Sequence, residues 1–532
     1  MEHFAALLDR LVLTPQRNGK LQLIADYCRD APDPDRGYAV AAMTRDLDIA
    51  SVKPAMLRDL TTARVDEVLY GLSYDYIGDM AETISLIWPA KRGANRAPGL
   101  GEIVETLQQA SRREGPQLVE GWLDALDPPG RWALIKLVTG GFRIGVSARL
   151  AKLALARFGD KDVTEIEELW HGLEPPYTAL FAWLEGRAEK PVNAAAAPFR
   201  PVMLAHPVDE DKDLDGISSD AFAAEWKWDG IRVQAASEGD ARRLYSRTGD
   251  DIGRAFPDIL EAMDFDAAID GELLVYRPDA PLYAVAPFGD LQQRLNRKTV
   301  SKKLLASHPA FIRAYDLLAL DGEDLRALPF AERRKKLEAF IRETAPDRFD
   351  LSALIGFASI DQLKDYRNAP PDDAVEGLML KRRAAPYVPG RPKGEWWKWK
   401  RDPYLVDAVM MYAQRGHGKR SSFYSDFTFG VWRGEEIVPV GKAYFGFTDE
   451  ELKQLDKFVR DNTTERFGPV RQVAFGAEAG LVLEIAFEGL NRSARHKSGV
   501  AMRFPRIHRI RWDKPPAEAD RLETLEAMLP AP

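Results

Sequence analysis

Over the first 190 residues, hydrophobic positions recur at spacings of three and four, which is the period of an amphipathic helix. Proline- and glycine-containing breaks such as Asp127-Pro-Pro-Gly separate the periodic stretches, and few segments alternate as a strand would. The pattern therefore predicts an all-α domain over residues 1–190. The periodic stretches are Phe4–Leu13, Leu21–Cys28, Val65–Ile87, Ile103–Leu126 and Arg131–Val138.

The pattern changes after residues 190–201, a segment rich in alanine and proline that has the composition of a linker. Between residues 200 and 402, apolar runs end at Asp-Gly turns and are mixed with helical stretches such as Ala331–Thr344, which predicts an α+β domain. The predicted strands are Phe222–Ala235, Arg243–Arg247, Ala267–Tyr276 and Ala310–Leu320.

A second change follows Arg401-Asp-Pro, where the predicted strands become short and are separated by glycine- and charge-rich turns. This pattern predicts a small β-barrel over residues 403–532. Three domains also agree with a length of 532 residues. The predicted strands are Ala408–Ala413, Phe427–Trp432 and Leu481–Phe487.

Composition narrows the class of protein. Hydrophobic residues make up 45% of the chain and charged residues 29%, which is typical of a soluble globular protein. We find neither an apolar run near the roughly 20 residues of a membrane span nor the pattern of a signal peptide. Cys28 is the only cysteine, which excludes an internal disulfide framework and a four-cysteine zinc site. We expect a cytoplasmic protein in which Cys28 is a buried apolar residue.

The net charge of −8 at first argues against a nucleic-acid partner, but the charges are unevenly distributed. Between Lys381 and Arg401 there are eight lysines or arginines against one glutamate. Such a basic stretch is compatible with phosphate binding, although a solvated charged face is the commoner explanation.

Lys227 lies in the most informative stretch, Ala224-Glu225-Trp226-Lys227-Trp228-Asp229-Gly230-Ile231-Arg232. In a strand, two flanking tryptophans would partly desolvate the lysine amine and favour its neutral, nucleophilic form. Asp-Gly then turns the chain, and Arg232 could reach a phosphate or a ribose. An ordinary edge-strand lysine before a hairpin would look the same, because Lys-x-Asp-Gly often occurs by chance.

Six short motifs follow Lys227 and carry carboxylates, cations and aromatic residues. Each alone has a structural explanation, since Glu272 could cap a strand and Tyr315 could belong to the core. Their joint appearance in one order is the stronger signal. They are Ser246-Arg247, Asp270-Gly271-Glu272, Tyr315-Asp316, Glu376-Gly377-Leu378-Met379-Leu380-Lys381, Trp396-Trp397-Lys398-Trp399-Lys400 and Arg509-Ile510-Arg511-Trp512-Asp513-Lys514.

In this order the motifs resemble those of the covalent nucleotidyltransferases, and specifically those of the ATP-dependent DNA ligase family. The resemblance runs essentially from end to end, and the layout is most similar to stand-alone bacterial ligases with a helical DNA-binding domain. Residues 503–516 resemble the ligase end motif. The resemblance implies a DNA-binding domain over 1–190, an ATP-grasp-like nucleotidyltransferase (adenylation) domain over 200–402 and an OB-fold over 403–532.

The resemblance also implies the reaction, which is the sealing of nicks between a 5′-phosphate and a 3′-hydroxyl in duplex DNA. Lys227 would attack ATP and carry AMP, AMP would pass to the 5′-phosphate, and attack by the 3′-hydroxyl would release it. The implied cofactors are ATP and Mg²⁺, for which Mn²⁺ could substitute. A monomer would bind nicked DNA at the nucleoid, away from membranes, in replication, repair or recombination.

The resemblance assigns residues to the nucleotide. Glu225 would flank the adenine and Tyr315 would stack on it, while Arg232 and Arg247 would bind the ribose or phosphates, as suits guanidinium groups. The remaining assignments concern phosphates and metal. Glu272 would meet the ribose or a metal, and Glu376 would be the second metal carboxylate. Three lysines would neutralise the α-phosphate, namely Lys381, Lys398 and Lys400. Arg511 and Lys514 would bind the departing pyrophosphate.

One position departs from the family pattern. The family has a nucleotide-contacting arginine six residues before Lys398, where this chain has Pro392. Arg391 lies seven residues before Lys398, and a one-residue insertion would return it to the pocket. Lys393 is the alternative.

The DNA contacts also come from the resemblance. The element Gly140-Gly141-Phe142-Arg143-Ile144-Gly145-Val146 would lie near the minor groove, and Arg143 and the Arg294–Lys298 cluster would meet phosphates. Phe288 and Phe447 match the ligase phenylalanines that wedge into the minor groove beside the nick. The alternative for both phenylalanines is a place in the core.

Other functions remain as alternatives. An NAD-dependent ligase would carry a four-cysteine zinc module, which one cysteine cannot build. An RNA ligase or an mRNA-capping guanylyltransferase would lack the helical domain and the full end motif. An inactive nucleic-acid-binding scaffold disagrees with the intact set of lysines and glutamates.

Overall fold

A computed structural model describes the chain except for residues 90–95, 194, 296, 298, 345, 417–422, 494–495 and 530–532. The chain divides into two compact units. One comprises Met1–Lys161, Pro175–Glu189 and Pro403–Pro532, and the other comprises Asp162–Glu174 and Lys190–Asp402.

The N-terminal region is helical, as predicted. Local signals define its helix ends: the Asp127 side chain accepts a hydrogen bond from Gly130 N, and the helix that starts at Pro128 ends at Gly140, where φ is 64°. The helices are α1 Glu2–Leu13, α2 Arg17–Asp30, α3 Asp35–Thr44, α4 Pro54–Thr62, α5 Glu67–Ile77, α6 Met80–Ile87, α7 Leu100–Gln109, α8 Glu114–Ala125, α9 Pro128–Thr139, α10 Ala148–Gly159, α11 Val163–Leu169 and α12 Thr178–Leu184.

Residues 200–402 form two β-sheets with helices against them. The strands are β1 His206–Pro207, β2 Phe222–Trp228, β3 Ile231–Glu238, β4 Ala241–Ser246, β5 Ala267–Val275, β6 Ala310–Leu320, β7 Glu323–Asp324, β8 Phe349–Leu351, β9 Leu354–Ile355, β10 Val375–Arg382 and β11 Trp396–Lys400. The helices are α13 Pro257–Glu261, α14 Phe288–Gln292, α15 Lys302–Ser307, α16 Phe330–Thr344 and α17 Ile360–Asn368.

The first sheet has the strand order β1-β11-β10-β2-β9, and the second has β4-β3-β5-β6-β7 with β8 beside β6. Consecutive strands β2 and β3 therefore belong to different sheets. Phe222 and Ala224 on one face of β2 pack with Leu363 of α17 in a hydrophobic cluster. Because strand side chains alternate, Glu225 and Lys227 lie on the opposite face.

Residues 404–526 hold the strands predicted as a barrel, in a seven-stranded sheet of order β14-β13-β12-β16-β15 with β17 between β12 and β20, and in a separate pair of β18 and β19. The strands are β12 Tyr404–Arg415, β13 Tyr424–Arg433, β14 Glu436–Ala443, β15 Thr463–Phe467, β16 Val470–Val473, β17 Val482–Phe487, β18 Gly489–Arg492, β19 Val500–Arg503 and β20 Arg506–Arg511. Two helices accompany them, α18 Asp449–Asn462 and α19 Leu522–Glu526. None of the helices that the structure describes is long and apolar enough to cross a membrane.

Candidate active site

One face of the first sheet brings the predicted lysines together. Lys227 of β2 lies opposite Gly377 of β10, and Gly377 lies opposite Lys400 of β11. In the next row Met379 separates Glu225 from Lys398. The strand pairing thus places Lys227, Lys398 and Lys400 on one face, as anion binding requires.

Glu376 reaches this face through a β-bulge. The pairing of β10 with β2 shifts between Val375 and Gly377, so Glu376 has no opposite residue on β2. A bulge re-aims a side chain, and Glu376 bonds Lys227 Nζ through Oε1 and Lys400 Nζ through Oε2, the latter at 3.0 Å. Burial opposes ionisation of Glu376, but the charges of Lys227 and Lys400 outweigh it and lower the pKa of this carboxyl.

Gly377 permits the close packing between the two lysines. Its φ is 146°, and a Cβ atom there would lie 2.2 Å from the Trp399 carbonyl oxygen and 2.7 Å from Lys400 Cα. A side chain at this position would push β11 away from β10. The glycine is therefore a requirement of the site's geometry.

The tryptophans beside Lys227 act differently from our expectation. Trp226 packs near Tyr366, at 6.0 Å between ring centroids, and Trp228 packs under the Arg313 guanidinium carbon at 4.1 Å. Both side chains leave β2 on the face opposite Lys227, because neighbouring strand residues alternate. The expected desolvation of the amine by these two rings was wrong, and the immediate neighbour of the amine is Glu376.

Arg232 lies on the second sheet, opposite Glu272. Its guanidinium donates to Asp270 Oδ2 and to the Met203 carbonyl oxygen, both at 2.5 Å. The Tyr387 hydroxyl donates to the same Asp270 oxygen at 2.6 Å. Arg232 is thus rigidly held, and its assignment to ribose or phosphate stays a prediction.

Glu272 and Tyr315 lie on β5 and β6. Burial raises the pKa of Glu272 to about 7; the charge of Glu376 also raises it, and that of Lys227 opposes the change. Gly271 pairs with Ala314 and Asp270 with Asp316, so Tyr315 is the extra residue of a second bulge. Glu272 and Tyr315 therefore lie on neighbouring strands of the second sheet, and the bulge determines where Tyr315 stands on β6.

Lys381 is buried beside Glu225 and Tyr315. Its Nζ lies 2.8 Å from Glu225 Oε2 and 4.3 Å from the Tyr315 ring centroid, and burial lowers its pKa. Arg334 of α16 lies 3.3 Å from the other Glu225 oxygen. This arrangement favours a role for Lys381 in holding Glu225 and Tyr315. Sequence reasoning missed Arg334, because nothing in the charged α16 sequence distinguishes it from its neighbours.

Arg247, Arg391 and Lys398 form a cationic group. Burial lowers the pKa of Lys398, and the charges of Arg391, Lys227, Lys400 and Arg247 lower it further. Burial likewise lowers the pKa of Arg247, with contributions from Arg232 and Arg391. Arg391 thus lies within electrostatic range of both residues, which supports the one-residue insertion before Lys398.

The backbone beside Arg391 is held by the segment before β1. Gly390, whose φ is 88°, bridges to Met203, and Leu204 N donates to Gly390 O at 2.6 Å. The His206 ring nitrogen Nε2 lies 3.1 Å from the Arg391 carbonyl oxygen. These contacts fix the backbone at Gly390 and Arg391 against residues 203–206.

Arg511 and Lys514 of the barrel share one carboxylate. Lys514 Nζ lies 2.8 Å and Arg511 Nη1 3.3 Å from Asp407 Oδ2. Arg511 also bonds Asp513 at 2.9 Å, which holds the pKa of Asp513 at about 2. In this structure both cations are neutralised by barrel carboxylates.

The residues predicted to contact DNA differ in exposure. Arg143 is exposed, whereas Phe288 packs partly against the core of its unit, and Phe447 lies 5.8 Å from Phe427 between ring centroids. The expected phosphate contact of Arg294 was wrong, because this side chain is fully buried and bonds Asp258 Oδ1 at 2.5 Å. Lys298 lies outside the described residues.

The sheet face and its neighbours define a class of site. A lysine amine lies near several cations and two half-buried carboxylates, and a half-buried tyrosine lies on the second sheet. Such a set suits the triphosphate, metal and base of a nucleotide, and it lacks the hydroxyl, imidazole and carboxylate arrangement of a hydrolase. The geometry is that of a covalent nucleotidyltransferase.

Comparison with known proteins gives the family. Residues 202–400 match the ATP dependent DNA ligase domain, and residues 420–514 match the ATP dependent DNA ligase C terminal region. The chain is 30% identical to a probable DNA ligase of Koribacter versatilis (strain Ellin345) over an alignment of 568 residues, which covers 99% of this chain and 96% of the relative. The chain belongs to the ATP-dependent DNA ligase family.

Further relatives agree. DNA ligase 1 of Korarchaeum cryptofilum (strain OPF8) is 29% identical over 549 residues, covering 98% of this chain and 97% of the relative. The solved structure Pmar-Lig_PreS3 has a TM-score of 0.59 at 14% identity and covers 96% of this chain and 99% of its own, which supports the fold alone. The expectations of an ATP-dependent DNA ligase that seals nicks are confirmed.

Proposed function

We propose that Lys227 is the nucleophile of this ligase and carries AMP as a phosphoramidate. The observation that supports this is the sheet face on which Lys227 is one row from Lys398 and shares a row with Lys400. After releasing a proton to water, Nζ attacks the α-phosphorus of ATP, a P–N bond forms and the bond to pyrophosphate breaks. Such transfers need positioning and charge neutralisation, which the two other lysines supply.

Glu376 controls the amine before this step. Its carboxylate bonds the Lys227 amine, and this contact has to be released before the amine can attack the α-phosphorus. The carboxylate therefore releases Lys227 when the nucleotide binds, and its bond to Lys400 gives it an alternative partner.

The adenosine would bind to polar residues that both sheets of residues 200–402 contribute. Tyr315 would stack on the adenine, Glu225 would face its edge, and Arg232 and Arg247 would bind the ribose or phosphates. Lys381 would hold the Glu225 carboxylate and the Tyr315 ring here, in addition to its predicted role of neutralising charge at the α-phosphate.

Glu272 and Glu376 fit a divalent cation. Glu272 is half-buried, with its pKa raised to about 7 by desolvation and by the charge of Glu376, and a cation would relieve that repulsion. Among the described residues no group of three or more histidine, cysteine or acidic side chains could hold a metal. Two carboxylates suit Mg²⁺, or Mn²⁺ in its place, because Mg²⁺ takes its other ligands from phosphates and water. The ion would neutralise charge on the triphosphate.

Arg511 and Lys514 would bind the departing pyrophosphate. In the structure they bind Asp407, so pyrophosphate binding exchanges one carboxylate for phosphate oxygens. The Arg391 guanidinium, as part of the cationic group, would bind the phosphates of the nucleotide.

The later steps act on nicked duplex DNA. AMP passes from Lys227 to the 5′-phosphate, forming a pyrophosphate linkage, and the 3′-hydroxyl then attacks that phosphate and releases AMP. Arg143 would contact the DNA backbone, and Phe288 and Phe447 would need to leave their partly buried positions to wedge into the minor groove. We place this work in a monomer, in the cytoplasm at the nucleoid, within the domains 1–190, 200–402 and 403–532.

The test separates the first step from the last. The full chain and Lys227→Ala are incubated with α-labelled ATP, and both are given a nicked duplex that already carries AMP on its 5′-phosphate. We expect Lys227→Ala to lose the protein label while it still seals the adenylated nick. Label retained by Lys227→Ala would overturn the assignment of the nucleophile.

A further inference from the structure

Lys20 is a buried lysine that has no role in the proposed transfer of AMP. It lies near the start of α2, and its side chain is directed to the loop between α9 and α10. Lys20 Nζ donates to the Ile144 carbonyl oxygen at 2.6 Å and to the Gly145 carbonyl oxygen at 3.1 Å. A buried ammonium is costly, so two hydrogen bonds to one loop indicate a specific role.

The loop itself is well defined at both ends. It follows Gly140, the C-terminal cap of α9, and ends at Ser147, whose side chain caps α10 through Leu150 N at 3.2 Å. Phe142 packs edge-on against Phe4 at 6.1 Å, and Ile144 is buried. Arg143, between these two apolar residues, is exposed. Anchoring on both sides thus turns Arg143 towards solvent.

The two carbonyls that Lys20 binds lie at the bend of this loop. Gly145 has φ of 66°, and a Cβ atom there would lie 2.4 Å from Lys20 Nζ. The backbone comes this close to the ammonium because a glycine stands at the bend. Lys20 and Gly145 therefore form one unit that sets the direction of the chain just after Arg143.

We propose that Lys20 is a positioning residue for DNA binding, whose ammonium fixes the loop of residues 140–146 so that Arg143 is presented to a DNA phosphate. The proposal rests on the assignment of Arg143 to DNA under the proposed function. Burial lowers the pKa of Lys20, which agrees with an amine held inside the helical region and not in contact with DNA itself. Lys20 acts through Arg143 and the loop.

The first measurement is the Kd of the full chain for a nicked duplex with a 5′-phosphate, by fluorescence anisotropy at fixed salt. We expect Lys20→Met and Arg143→Ala each to weaken binding about tenfold, as the loss of one ordered contact does. Lysyl-AMP formation from ATP without DNA should change less than twofold in Lys20→Met, because the loop takes no part in that step. Lys53→Met, which removes an exposed lysine charge from the same helical region, is the control and should bind like the unchanged chain.

The second measurement is the double variant. If Lys20 acts through Arg143, the two changes together weaken binding no more than Arg143→Ala alone, because residues of one unit are not additive. Lys20→Arg, which keeps donors for the two carbonyls, should restore part of the affinity. Effects that multiply would overturn the proposal, as would Lys20→Met binding like the unchanged chain while Arg143→Ala weakens binding.

A control for folding uses the single cysteine. Cys28 lies on the same helix α2 and is fully buried, so its thiol should stay unreactive in Lys20→Met if the helix remains packed. A reactive thiol in this variant would show that Lys20 is structural and would overturn the proposal. If Arg143→Ala itself has no effect, the assignment of Arg143 to DNA fails first, and that outcome is distinct from the others.

Discussion

Glu376 bonds Lys227 because a bulge in β10 turns the carboxylate onto the face where the amine lies. The contact joins residues that are 149 positions apart in the chain. The same carboxylate also bonds the Lys400 amine, so Glu376 holds two lysines of the site at once. The predictions below test what this arrangement contributes.

Glu376→Gln should slow lysyl-AMP formation by about 100-fold, the effect of losing one well-placed charge in such a site. The amide keeps the shape but cannot neutralise Lys227 and Lys400 or serve a divalent cation. Initial rates with α-labelled ATP measure this. Glu395→Gln is the matched control, because its partner Arg382 lies 3.5 Å away at a half-exposed position; a rate for Glu376→Gln as high as that of the control would refute the role.

Gly377→Ala should disrupt the site through β11. The added Cβ would lie 2.2 Å from a carbonyl oxygen of β11, so the strand that carries Lys398 and Lys400 has to move. We expect a loss of stability of about 1–3 kcal/mol and a much larger loss of lysyl-AMP formation. Gly356→Ala, where an added Cβ meets nothing within 4 Å, should leave both unchanged. Normal labelling of Gly377→Ala would contradict the described strand pairing.

Asp407→Asn should favour the first step. The change removes the carboxylate that Arg511 and Lys514 share, so these cations bind pyrophosphate oxygens without giving up a partner. We expect the ATP concentration for half-maximal lysyl-AMP formation to fall by roughly two- to fivefold, the size of a partly exposed ion pair. Glu484→Gln should have less effect, since Glu484 lies 3.9 Å from Arg511 and its other cationic neighbour is His508, at 3.6 Å, and not Lys514. A higher ATP requirement in Asp407→Asn would argue against the assignment.

The thiol of Cys28 should be unreactive towards disulfide reagents in the folded chain. Burial raises its pKa from 9.0 to about 12, so the folded state holds the proton more tightly than the unfolded state does. The stability that this contributes is present below pH 9 and is lost as the pH rises towards 12. A disulfide reagent at pH 8 should react with the thiol only after denaturant is added, and Cys28→Ala should lose less stability than the unchanged chain between pH 8 and pH 10. Rapid reaction of the native chain with the disulfide reagent would contradict the burial of Cys28 on α2.

Local patterns predicted much of the site, for a physical reason. Residues two apart on a strand share a face, so the spacing of Glu225 and Lys227, and of Lys398 and Lys400, already implied common faces. The hydrophobic periods likewise predicted the helical region and located the strands β2–β6, β12, β13 and β17, whereas the remaining strands and the helices α3, α4 and α10–α12 lie outside the predicted stretches. These features depend on neighbours within a few residues, which the sequence displays directly.

Pairing between distant segments could not be predicted in the same way. The bulges that carry Glu376 and Tyr315 depend on how β10 pairs with β2 and β6 with β5. Arg334 meets Glu225 across 109 positions, and Lys20 meets Ile144 across 124. Arg294 illustrates the opposite error, because a basic cluster suggested a phosphate contact where a buried ion pair with Asp258 exists.

The α18 helix shows a signal that was present but not used. Thr448 and Glu451 form a capping box, in which each side chain bonds the other's backbone nitrogen. The sequence Thr448-Asp449-Glu450-Glu451 therefore marks a helix start inside a region that we predicted as short strands only. Phe447 stands directly before this cap and packs near Phe427.

The central claim is that Lys227 is the residue that carries AMP. The direct measurement is peptide mapping by mass spectrometry after the full chain has reacted with ATP and before DNA is added. We predict AMP on the peptide that contains Lys227, linked through a bond that acid cleaves, and removal of that AMP by added pyrophosphate. AMP on another lysine, such as Lys398 or Lys400, with Lys227 unmodified would contradict the account.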